Sequence, residues 1–171
     1  DFTVTPAPAD VAMTGSQIYG GSPTFSGTPV NPPAGITVTT TAVTCTELAP
    51  FTPIGPTLAA GSRTLLPQSC SGATLSGTNS TDYAPAYTSA TNDFTIAPAP
   101  LTVTASSGSM TYGGAPPTIT PSYSGFVNTD SASSLTTSPS CTTTATSSSP
   151  VSGSPYSSSC TGAVDANSIF T

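Results

Sequence analysis

The string DFTIAPAPLTVTA at Asp93–Ala105 decides how this chain is read. Phe94 and Ile96, then Leu101 and Val103, alternate with small or polar residues, the period-2 pattern of strands with one buried face. Pro98 and Pro100 stand between the two halves. Each removes a backbone donor and fixes φ, so the reading is strand, stiff Pro-Ala-Pro joint, strand. Nearly the same string opens the chain as DFTVTPAPAD, Asp1–Asp10.

The match extends through a whole period. Phe2 is answered by Phe94, 92 residues on, and Tyr19-Gly20-Gly21 by Tyr112-Gly113-Gly114, 93 on. Cys45 is answered by Cys141, and Cys70-Ser-Gly-Ala73 by Cys160-Thr-Gly-Ala163. Four landmarks in one order, separated by loop-sized drifts, define a duplication. The expected organisation is an N-terminal extension at 1–7, a first β repeat at 8–98, and a second at 99–171. Each repeat is expected to be a small antiparallel β-sandwich-like domain, Ig-like or β-grasp-like, within an all-β chain. Expected strands include Ile36–Cys45 as the best of the first repeat, and Met110–Tyr112 and Thr118–Tyr123 in the second. Gly125–Leu135 is the one stretch with helical character, capped by Asn128 or Asp130.

The register is out of phase. After Cys-Ser-Gly-Ala the first repeat continues to the strand Phe94–Ile96. After Cys-Thr-Gly-Ala the second reaches Thr171 without one. A spare copy of that strand stands at Phe2, Thr3, Val4 and Thr5. Two explanations fit. Phe2–Thr5 of one chain completes the open sheet of the next, giving a head-to-tail polymer by strand addition; or the chain is a window of a longer array.

Composition sets further bounds. One basic residue, Arg63, stands against seven acids, for a net charge of −6, so the surface cannot neutralise phosphates and nucleic acid is excluded as a partner. With no His, Lys or Trp, the usual general bases and Schiff-base nucleophiles are missing, and no spacing selects a carboxylate pair from Asp1, Asp10, Glu47, Asp82, Asp93, Asp130 and Asp165. No enzyme activity and no cofactor are expected. The four cysteines pair within repeats, Cys45 with Cys70 and Cys141 with Cys160, because that pairing respects the duplication. Zinc lacks a CxxC pair and a His. Disulfides imply a compartment outside the reducing cytosol, and the apolar runs are too interrupted to insert in a membrane. Asn79-Ser80-Thr81 is the N-glycosylation sequon. Tyr83, Tyr87, Tyr112, Tyr123 and Tyr156 serve either as strand packing or as a sugar-binding face.

Tyr112-Gly-Gly-Ala-Pro-Pro, then Tyr123-Ser-Gly-Phe-Val-Asn-Thr-Asp130, the paired cysteines and Cys160-Thr-Gly-Ala-Val-Asp-Ala-Asn167 resemble the MBG-type repeats of large bacterial surface adhesins. The likeness spans most of 99–171 and weakens in the first repeat after Pro23, which has no Gly-Phe-Val-Asn-Thr-Asp counterpart. The resemblance implies tandem small β domains in extracellular stalks, fibres or adhesins, with no enzyme activity. The function expected is therefore a structural subunit of an extracellular filament or adhesin stalk, with copies of itself as partner. The alternatives are a glycan- or surface-binding adhesin module and a passive monomeric stalk segment.

Overall fold

The computed structural model describes residues 1–170 and is all-β, broken only by short 3-10 turns. It divides into two compact units, Asp1–Ala97 and Pro98 onward. The first unit contains β1 (Ala7–Ile18), β2 (Thr24–Pro29), β3 (Ile36–Thr39), β4 (Thr44–Cys45), β5 (Glu47–Leu48), β6 (Thr52–Pro53), β7 (Gly61–Arg63), β8 (Cys70–Ser71), β9 (Thr74–Gly77) and β10 (Tyr83–Ala97). The second contains β11 (Ala99–Ala105), β12 (Pro121–Ser124), β13 (Ser140–Thr143), β14 (Ser158–Thr161) and β15 (Ser168–Phe170).

In the first unit the main sheet has the order β2-β1-β10-β7. Along β1 the odd positions Ala9, Val11, Met13 and Gln17 are buried and their neighbours face out, as a one-sided strand requires. β10 lies beside β1 in parallel register, from Ala7 opposite Tyr83 to Ile18 opposite Ala97. This corrects the expectation of purely antiparallel sheets. A period-2 pattern fixes which face is buried but not strand direction. Parallel neighbours need a long crossover, here everything from Tyr19 to Asp82. The short ladders β3–β9, β4–β8 and β5–β6 lie within that crossover, and parts of it pack on β10 and β2.

β10 is not smooth. Between Ser89, opposite Met13, and Phe94, opposite Gly15, it carries extra residues that bulge out of the ladder. Both Asp93 carboxylate oxygens hold the bulge, accepting from Ala90 N–H (3.0 Å) and Leu65 N–H (2.8 Å). Beyond the bulge, Phe94 and Ile96 enter the core between β1 and β7. Phe94 is 0% exposed. Its ring lies 5.9 Å from that of Phe25, and a Cβ built on Gly15 would stand 2.7 Å from it. Gly15 is therefore the seat of the Phe94 ring.

The second unit repeats the same scheme in reduced form. β11 is central in the order β12-β11-β15, antiparallel to β12 and parallel to β15. Leu101 is buried, and Ala99 donates its N–H to the Asn167 carbonyl at 2.8 Å. Pro100 lies inside this strand, so the expected Pro-Ala-Pro stop shrinks to Pro98 alone. Its missing N–H would point away from β15, toward a side where the β12 ladder begins only at Thr102. No ladder bond is lost there. Pro8 occupies the corresponding place in β1, where the β2 ladder begins only at Val11.

Other expectations are also corrected. Ile36–Cys45, expected as the best strand of the first repeat, splits into two short strands, Ile36–Thr39 and Thr44–Cys45. Met110–Tyr112 is in no strand, and Thr118–Tyr123 contributes only from Pro121. Gly125–Leu135 holds a single 3-10 turn, Ala132–Ser134, capped by Ser131 in a reciprocal side-chain box rather than by Asn128 or Asp130. Serine-rich sequence lacks the apolar face that would stabilise a longer helix.

Of the fifteen buried apolar residues described, twelve lie in the first unit and three, Ala99, Leu101 and Ile119, in the second. The second core is therefore the thinner of the two among the described residues. Phe94→Ala should destabilise the first unit by about 3–5 kcal/mol, the usual cost of emptying a buried aromatic site. Chemical denaturation followed by circular dichroism checks this; a change under about 1 kcal/mol would mean that the ring does not hold the core.

Candidate functional site

Each unit is stapled by one disulfide across two antiparallel strands, Cys45–Cys70 in β4–β8 and Cys141–Cys160 in β13–β14. The bridges close sequence separations of 25 and 19 residues. In the chain-entropy account each contributes about 3 kcal/mol by restricting the unfolded chain. The first bridge adds to a filled core, whereas the second supports a sparse one.

The acidic residues do not converge. Among the described residues no group of three metal-ligating side chains comes together. Asp93 is committed to the β10 bulge, and Asp165 accepts from the Asn167 N–H at 3.2 Å. Asn79 is exposed at a left-handed turn position before the Ser80–Asp82 3-10 turn, where a glycan has room. The tyrosines disperse. Tyr87 accepts the Ala73 N–H at its hydroxyl (2.9 Å), and Tyr123 packs on Phe126 with ring centroids 5.5 Å apart. Tyr112 and Tyr156, however, come together in the second unit.

They line a cavity of about 320 Å³, together with Gly108, Met110, Ile119 and Val151. Tyr156 is held there by its hydroxyl, which donates to the Pro150 carbonyl at 2.8 Å. The segment Ser106–Tyr112 that forms one wall runs through no strand. This cavity was not among the expected sites. The two Tyr-Gly-Gly words do not reveal it: they read alike, yet Tyr19 is 7% exposed whereas its counterpart Tyr112 is 66% exposed.

Phe2, Thr3, Val4 and Thr5, expected as a strand, belong to no sheet of the chain. Phe2 is 93% exposed and Val4 81%, while their counterparts Phe94 and Ile96 are fully buried. A single extended segment needs a neighbour to pair with, and its own chain supplies none among the described residues.

Residues 101–169, within the second unit, match the family model of the MBG domain (YGX type), the likeness that Tyr112-Gly113-Gly114 suggests. No curated protein and no solved structure matches the chain. No helix among the described residues is long and apolar enough to cross a membrane.

Removing the second staple with Cys141→Ser and Cys160→Ser should lower the stability of that unit by about 3 kcal/mol, measured as a shift of its urea transition. An unchanged transition would show that the bridge does not restrict the unfolded chain.

Proposed function

We propose that the chain is a structural, non-enzymatic segment of an extracellular filament or adhesin stalk, whose modules are joined by strand donation from one chain to the next. One observation carries the reading: the same core strand occurs twice, buried at Phe94–Ile96 and fully exposed at Phe2–Val4. An exposed Phe-Thr-Val segment in one chain and an unpaired flank of the second unit in another are complementary parts. Because donor and acceptor lie on different surfaces, the contact is head-to-tail and propagates rather than closing a dimer. The two disulfides fit an oxidising exterior, and MBG-type repeats fit a surface location. A chain with one basic residue, no His and no Lys is suited to span distance rather than to bind nucleic acid or catalyse.

A second reading, a glycan-binding adhesin module, is favoured by Tyr112 and Tyr156 facing one cavity among serines. A glycan array distinguishes it.

Deleting residues 1–7 should abolish polymers that the intact chain forms at high concentration, as seen by electron microscopy and sizing. Filaments that survive the deletion, or an intact chain that stays monomeric throughout, would contradict strand donation.

A further inference from the structure

We infer that the cavity of the second unit is an acceptor site for the Asp1–Thr5 segment of a second copy, with the Phe2 ring as its anchor. The inference deepens the reading above and rests on it for the source of the strand.

The first unit shows what fills this place. There the end of β10 runs between β1 and β7, with Phe94 opposite Gly15 and Arg63, and Ile96 opposite Gln17 and Gly61. Tyr19 donates its N–H to the Ala97 carbonyl at 2.8 Å. Carried across by the Tyr-Gly-Gly words, Gly15, Gln17 and Tyr19 correspond to Gly108, Met110 and Tyr112. Carried across by the Cys-x-Gly-Ala words, Gly61 corresponds to Val151. Gly108, Met110, Tyr112 and Val151 all line the cavity. The two walls of the cavity are thus the two flanks between which the first unit holds its Phe-bearing strand.

The state of those walls agrees. Gly15–Ile18 is strand, paired with β10 throughout and with β2 at Gly15 and Ser16; Gly108–Thr111 is not in a strand, and among the described residues the β11–β15 ladder runs only to Leu101 opposite Phe170. Ile119 is buried at the cavity wall, while Tyr112 stands open. About 320 Å³ lies at the lower end of the range of ligand cavities, room for an aromatic ring but not for a second folded element.

The occupant is specified by sequence. Asp1-Phe-Thr-Val4 differs from Asp93-Phe-Thr-Ile96 by one methylene on the last side chain. Both apolar side chains of the N-terminal copy are exposed. In parallel register Phe2 lies over Ser107–Gly108 and Val4 beside Met110. At Gly108 the Pro117 ring closes one side, 2.7 Å from where a Cβ would stand, as Phe25 does at Gly15, so the Phe2 ring would have to enter beside Pro117.

The test uses the full chain carrying Phe2→Ser and Val4→Ser, which silences its own segment without touching either core. Synthetic peptide DFTVTP is titrated in by calorimetry. Binding is expected, at least tenfold weaker (about 1.4 kcal/mol) for the Phe2→Ala peptide and for a chain in which Val151→Trp plugs the cavity. No binding at millimolar peptide, equal affinity of the Phe2→Ala peptide, or displacement by a neutral oligosaccharide bound in the same cavity would overturn the assignment. Peptide binding by a chain that never polymerises would support the site while removing the filament. Polymers that persist with Val151→Trp would overturn the site while leaving strand donation standing.

Discussion

A phenyl ring seated on a glycine holds the first unit together. Phe94 reaches the core because Gly15 has no side chain in its way and Phe25 covers it from β2. The contact organises more than its own area. It places Ile96 beside Gln17 and aligns Ala97 to accept from Tyr19, and it flanks Gly15–Ile18 opposite the β2 ladder at Gly15 and Ser16. Cores close-pack, so a large buried aromatic with its glycine seat is felt by every neighbour.

The second unit carries the same frame without that ring. Its central strand, parallel partner and disulfide are in place, yet only Ala99, Leu101 and Ile119 are buried among its described apolar residues. Small units with little core need staples, and the Cys141–Cys160 bridge is one. The exposed Tyr112 and the neighbouring cavity share one physical origin: where the first unit has a strand, the second has a slot. Both the proposed stalk function and the proposed acceptor site grow from this contrast.

Much of this was legible in the residues. The repeated DFT-x-x-PAP word and the paired cysteines gave the all-β tandem and its staples, because side-chain alternation and duplication are written directly in sequence. Strand direction was not. Phe94 alternates identically whether its neighbour runs parallel or antiparallel, and only the distant Ala7–Tyr83 register settles it. Pro100 misled for a related reason: a proline ends a ladder only on the side its N–H would serve, and that side depends on tertiary pairing. The cavity lay one step further off. Tyr19 and Tyr112 read the same in sequence, and their opposite exposures follow from a strand about 75 residues downstream of Tyr19 that has a counterpart at the other end of the chain.

Native-state hydrogen exchange on the dilute, monomeric chain tests the central claim most directly, because it reports pairing residue by residue. With the Phe94 strand and β2 pairing one segment and no strand among the described residues pairing its twin, the amides of Gly15–Ile18 should exchange at least about 100-fold more slowly than those of Gly108–Thr111. Equal protection of the two segments would mean that the Phe-bearing strand is not what orders this part of the fold, and the account built on it would fail.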